Sequence, residues 1–193
     1  VRFFLVREEG KGMVVFIAIE LEQEVKEKIH GYVREVVKSA CSGGRWVDKA
    51  NYHLTLKYIG ETDEKGIDVL HRLLLDAAKS CSGFRLTTGS VGVFGDLRDG
   101  RARVLWLDTT GDTKALAYLR RYIENRAVAA GFKAEKRFSP HITLARDVVL
   151  PGPLEDMERM KPEVINVTSV SLMESRQEKG RRIYLPIAVY KLG

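Results

Sequence analysis

The chain has 193 residues, 45% of them hydrophobic, with 32 basic and 26 acidic side chains giving a net charge of +6 and a pI near 9.3. That length supports one generous core or two small lobes, not two ordinary independent domains. The moderate basic excess suits an anionic ligand as well as a solvated, mixed-charge surface.

Two cysteines, Cys41 and Cys81, are too few for a disulfide framework or a metal knuckle. No apolar run approaches a membrane span, and the opening "VRFFLV" is too short and too soon interrupted for a signal peptide. A cytoplasmic protein with reduced thiols and no membrane partner is the expectation. Residues 1–12 end in a polar Glu-Glu-Gly-Lys-Gly just before Met13. They read as an N-terminal extension from an upstream start, with residues 13–193 as the domain proper.

"MVVFIAIE" is a continuous apolar run suited to a buried strand, and the next segment switches to helical spacing at Val25, Ile29, Tyr32, Val33, Val36 and Val37. Ser42-Gly43-Gly44 reads as a turn. A second strand, "YHLTLKYIG", is followed by Thr62 as a helix cap and by Ile67, Leu70, Leu74, Ala77 and Ala78 on one helical face, with Gly83 as the stop.

"FRLTTGSVGVFG" and "ARVLWLDTT" read as a hairpin. From Asp112 the spacing Leu116, Leu119, Ile123, Ala127 and Ala130 gives a third helix ended by Gly131. "FSPHITLAR" returns as a strand, which Pro140 places at a strand start or an edge. "PGPLEDMERMKP" is a short helix or loop, and "EVINVTSVSLMES" and "RRIYLPIAVYKL" are paired strands. A helix, a strand carrying His-x-Thr-Leu, a further helix and two strands thus occur twice. The order predicts an α+β protein of two similar lobes, each a mostly antiparallel sheet backed by helices.

Two of the four histidines sit in the same phrase, His53-Leu-Thr-Leu and His141-Ile-Thr-Leu. Ordinary composition places x-Thr-Leu after a given histidine roughly once in 200 cases, so two copies argue against chance. On a strand, His53 and Thr55 share one face and Leu54 and Leu56 the other, and the second phrase behaves alike.

Imidazole is the side chain whose ordinary pKa lets it accept and donate a proton near neutrality. Two of them divide an in-line displacement at phosphorus into a base and an acid, with threonine hydroxyls on the nonbridging oxygens. A metal centre fits less well, because each phrase offers one strong ligand beside basic residues.

These phrases resemble the paired motifs of the two-histidine (2H) phosphoesterases. With "VVFIAIEL", "RVLWL" and "LMESRQEKGRRIYLPI", the chain from Met13 onward is similar to the RNA 2',3'-cyclic phosphodiesterases, also called 2'-5' RNA ligases. The resemblance implies two pseudo-twofold lobes around an active-site groove and hydrolysis of a 2',3'-cyclic phosphodiester RNA end to a 2'-phosphomonoester. His53 would be the proton donor, His141 the proton acceptor, and Thr55 and Thr143 the phosphate-binding hydroxyls. No metal and no cofactor is implied, and the reverse reaction would join RNA ends.

Arg146 matches the family's phosphate-binding arginine, but strict alternation puts it opposite His141 unless a bulge or the strand end turns it inward. Tyr58, a substrate-binding candidate, stands where phenylalanine is more usual. Lys57 lies on the histidine face by alternation, toward substrate or solvent. Tyr184 and Phe94 are candidates for base stacking, while Trp46 and Trp106 read as structural and His30 and His71 as helix residues without a site role. The partner is then an RNA carrying a 2',3'-cyclic phosphate, and the protein a monomer. An RNA-binding adaptor and a phosphodiesterase of small cyclic nucleotides are the alternatives.

Overall fold

The computed structural model describes residues 1–3, 12–95, 100–150 and 152–193. Most of the segment read as an N-terminal extension lies outside the described residues; its first residues form a two-residue strand, β1 (Arg2–Phe3). The other strands are β2 (Met13–Glu20), β3 (Ser42–Trp46), β4 (His53–Thr62), β5 (Phe84–Phe94), β6 (Arg101–Gly111), β7 (His141–Val149), β8 (Val164–Val167), β9 (Ser169–Glu178) and β10 (Arg181–Lys191). The helices are α1 (Gln23–Tyr32), α2 (Glu64–Ser80) and α3 (Thr113–Ala129).

The protein is α+β. Among the described residues, ten strands join in one sheet of order β1-β10-β9-β2-β4-β7-β6-β5-β8, with β3 also on β7, and all pairings are antiparallel. The hairpin that comes after the first motif, β5–β6, pairs with the second motif strand β7. The hairpin that comes after the second motif, β9–β10, pairs through β9 with β2, the neighbour of β4. The repeated halves of the sequence therefore exchange hairpins. The second motif strand β7 is thus framed by β3, β4 and β6 from the first half of the chain, whereas β4 lies between β2 of its own half and β7.

One face of the sheet carries the main core. Ile17 and Ile19 from β2, Leu54 and Leu56 from β4, Leu105 and Leu107 from β6, and Ile142 and Leu144 from β7 meet Ile29 of α1, Leu70 and Leu74 of α2, and Leu119 and Ile123 of α3. Each fully buried leucine or isoleucine contributes about 2 kcal/mol. The opposite face holds a small separate cluster of Phe16, Ala18, Met173 and Tyr184, and it is the face on which the motif side chains project.

Asp63, not Thr62, caps α2, its carboxylate accepting from Gly66 N at 2.9 Å, and Asp112 caps α3 from Ala115 N at 3.2 Å. Ser42-Gly43-Gly44 is a strand start instead of a plain turn. A Cβ on Gly44, whose φ is +79°, would lie 2.4 Å from Val148 Cγ1 and 2.9 Å from the Arg146 carbonyl. Only a glycine lets β3 approach β7 that closely. The "EVINVTSVSLMES" segment is two strands, because β8 leaves to pair with β5 while β9 pairs with β2 and β10. Both cysteines are free.

Candidate active site

The two motif strands meet at one bridge, Leu54 with Ile142. Both side chains are fully buried on the helix side, so the flanking histidines and threonines emerge on the other side of the sheet. There they line a single cavity of about 340 Å³, with Phe16, Asn51, Tyr58, Arg146, Ser175 and Tyr184 among its walls. His53, Thr55, His141 and Thr143 are thus brought together, as the alternation required.

Both rings are held the same way. The carbonyl two residues before each histidine accepts from its Nδ1, Asn51 O from His53 and Ser139 O from His141, each at 2.7 Å. In the neutral ring the proton then sits on Nδ1 and leaves Nε2 free to accept. His53 Nε2 already takes a hydrogen bond from the Thr55 hydroxyl at 2.9 Å. Aromatic rings pack each imidazole: Phe16 and the edge of Tyr184 lie 4.9 and 5.0 Å from His53, and Phe94 meets His141 edge-on at 5.0 Å with Trp106 at 6.3 Å.

Burial dominates the electrostatics. It pushes His53 down from 6.5 to about 4, against the Asn51 hydrogen bond and with help from the charges of Lys26, of His141 when protonated, and of Arg146. His141 is also lowered, again by burial first, opposed by the Ser139 bond and assisted by Arg146. Both histidines rest neutral at pH 7.

A bulge in each motif strand sets the direction of the residues beyond the motif. Across β2 and β4 the register jumps from Ala18↔Thr55 to Ile17↔Lys57. Across β6 and β7 it jumps from Trp106↔Thr143 to Leu105↔Ala145. Leu56 and Leu144, each three residues after its histidine, are the extra residues, and each reverses the alternation beyond it.

Arg146 therefore turns into the cavity, where among the described residues no carboxylate pairs with it. The same reversal corrects the expectation for Lys57. It is 1% exposed and points to the helix side, where its Nζ meets Glu124 Oε2 and the Lys133 carbonyl, both at 2.8 Å. Arg120 joins this cluster at 3.1 Å from Glu124 and 3.2 Å from Glu135. Tyr58 takes the place in the cavity that alternation assigned to Lys57, and it is 55% exposed.

Of the two stacking candidates, Tyr184 lines the cavity beside His53. Phe94 packs against both His141 and Trp106, at 5.0 and 5.1 Å between ring centres.

Asn51 was not singled out by sequence. It is nearly buried, its Nδ2 donates to the Arg182 carbonyl at 2.7 Å, and its Oδ1 accepts from Tyr184 N at 3.2 Å. The legible signal was its offset: it precedes His53 by two residues, as Ser139 precedes His141.

Among the described residues, no group of three or more His, Cys, Asp or Glu is placed to hold a metal ion, and no helix is long and apolar enough to cross a membrane.

The sequence pattern of the LigT like phosphoesterase family matches residues 19–106 and 108–184. A Thermotoga maritima protein named RNA 2',3'-cyclic phosphodiesterase is 32% identical over 145 residues, 75% of each chain. One of the same name from Escherichia coli K12 is 31% identical over 183 residues, 92% of this chain and 96% of that one. The crystal structure of E. coli LigT complexed with 3'-AMP superposes with a TM-score of 0.79 over 94% of this chain and 99% of that one, at 27% identity.

Proposed function

The chain belongs to the LigT like phosphoesterase family, and from that premise we propose that it hydrolyses RNA 2',3'-cyclic phosphodiester ends to 2'-phosphomonoesters by histidine acid-base catalysis without a metal. The observation that carries this reading is the meeting of two His-x-Thr motifs in one cavity, each ring oriented by a carbonyl at its Nδ1. The relatives that bear the name RNA 2',3'-cyclic phosphodiesterase support the substrate class.

In the proposed reaction His141 Nε2 takes a proton from water as its oxygen attacks phosphorus in line with the bond to O3'. That bond breaks, O3' receives the proton of His53, and the phosphate stays on O2'. Thr55, Thr143 and Arg146 hold the nonbridging oxygens.

His53 rests neutral, so it acquires its proton as the anionic phosphate enters, because a nearby negative charge favours the imidazolium. Protonation has a second effect. Thr55 now donates to His53 Nε2, and a protonated Nε2 no longer accepts, which frees the hydroxyl proton for a phosphate oxygen. Charging the acid and arming the phosphate ligand are one event. With an RNA 5'-hydroxyl in place of water, the same residues would form a 2'-5' linkage.

The test is product analysis in chelator with an oligonucleotide ending in a 2',3'-cyclic phosphate. The expected product is the 2'-phosphate, lost in His53→Ala and in His141→Ala; full activity in either variant overturns the mechanism. A cavity of about 340 Å³ also admits a single nucleotide, so turnover of small cyclic nucleotides is the second reading. Faster turnover of the mononucleotide than of the oligonucleotide would favour it.

A further inference from the structure

The motif residues and Arg146 account for one phosphate. The groove face continues along the β9–β10 hairpin, past Tyr184 and its cross-strand partner Ser175, and carries there a cation to which the hydrolytic reading gives no task. Arg182 is exposed two residues before Tyr184, hence on the same face of β10. Its Nη1 donates to Ser175 Oγ at 3.0 Å, and Ser175 lines the cavity.

Among the described residues no carboxylate meets Arg182. Arg176 on the neighbouring strand is different, with Glu174 at 2.8 Å and Glu178 at 3.4 Å. Ser175 is neutral, so the charge of Arg182 stands uncompensated at the mouth of the cavity.

The strand beneath this guanidinium is also fixed relative to the chemistry. The Asn51 side chain bonds the Arg182 carbonyl and the Tyr184 amide, while the Asn51 carbonyl orients His53. One nearly buried residue thus couples the position of Arg182 to the His53 ring.

We propose that Arg182, steadied by Ser175, forms a second anion subsite that takes the phosphodiester joining the terminal nucleotide to the one before it. The protein then distinguishes an RNA end from a free nucleoside cyclic phosphate. This rests on the hydrolytic reading above. A guanidinium fork matches two phosphate oxygens, and a contact to the backbone is indifferent to base identity.

The experiment compares kcat/KM for a nucleoside 2',3'-cyclic phosphate with a free 5'-hydroxyl and for the dinucleotide ending in the same cyclic nucleotide. It uses the unaltered protein, Arg182→Ala and Arg182→Lys. The unaltered protein should prefer the dinucleotide. Arg182→Ala should lower the dinucleotide-to-nucleoside ratio about tenfold, as for loss of one charged hydrogen-bonded contact, and Arg182→Lys should keep part of it. The salt dependence for the dinucleotide should flatten by about one ion in Arg182→Ala.

Equal kcat/KM for the two substrates in the unaltered protein, or an unchanged ratio in Arg182→Ala, overturns the subsite alone. Turnover of neither substrate by the unaltered protein overturns the phosphodiesterase reading and the subsite with it.

Discussion

Leu54 and Ile142 are partners across the one bridge that joins β4 to β7 among the described residues, and each comes directly after a motif histidine. The antiparallel sense of that bridge sets His53 toward Thr143 and Thr55 toward His141. Each imidazole therefore faces the hydroxyl of the other motif across the seam. Two buried side chains on the helix side fix the geometry of four polar ones on the groove side.

That dependence is measurable. Ile142→Ala should cost about 3 kcal/mol in urea unfolding, as for a large-to-small change in a closed core. It should also lower kcat at temperatures where the variant is fully folded, because the seam sets the spacing of both motifs. A destabilised variant with unchanged kcat would show that the bridge holds the fold but not the site.

The roles proposed for the two histidines differ in one testable respect. A sulfur at the 3' bridging position leaves as a thiolate and needs no proton, whereas the attacking water still needs a base. His53→Ala should therefore regain most of its lost rate on a 3'-thio cyclic substrate, and His141→Ala should not. Rescue of His141→Ala alone would exchange the roles.

Much of this site was legible because alternation on a strand is local. His53, Thr55, His141 and Thr143 needed only period two and an apolar opposite face. Alternation put Lys57 on the wrong face and left Arg146 open, because a bulge is a property of a strand pair: one extra residue at Leu56 and at Leu144 reverses the faces beyond it. The exchange of hairpins between the halves was hidden for a similar reason. Strand order depends on long-range pairing, and the duplicated order of helices and strands is compatible with either arrangement. Asn51 was missed because its offset from His53 is the one trace it leaves in the chain, while its work is done through one carbonyl and two side-chain bonds to β10.

Lys57 supplies a stability prediction. Its ammonium lies among buried groups, and the Glu124 carboxylate it meets is pushed up by burial but held below its usual value overall by Lys57, the Glu135 amide and Arg120. Lys57→Met should cost about 3 kcal/mol, since it leaves a buried carboxylate short of a partner. Removing both members in Lys57→Met with Glu124→Leu should recover part of that loss. A double variant no more stable than the single one would show that the cluster holds residues 133–135 against β4 through more than this pair.

His53 also makes stability depend on pH. In the unfolded chain the imidazole titrates near 6.5, and in the fold burial holds it neutral down to about 4. Between those values the unfolded chain binds the extra proton, so acidification favours unfolding. Stability should be unaffected by this group above about pH 7, fall at up to about 1.4 kcal/mol per pH unit from 6.5 toward 4, and level off below. His141 is shifted in the same direction and adds to the slope. Urea unfolding from pH 7 to 4 should show a shallower dependence in His53→Gln, and identical slopes in the two proteins would remove His53 as the cause. The same linkage acts on the ligand side. An anion beside His53 raises its pKa, so binding of a nucleoside 2'-phosphate at pH 7 should take up protons, seen as a calorimetric enthalpy that varies with buffer ionisation. His53→Gln should lose the His53 part of that uptake, and an unaltered protein that binds the product with no proton uptake would contradict the charging of His53 on which its role as acid depends.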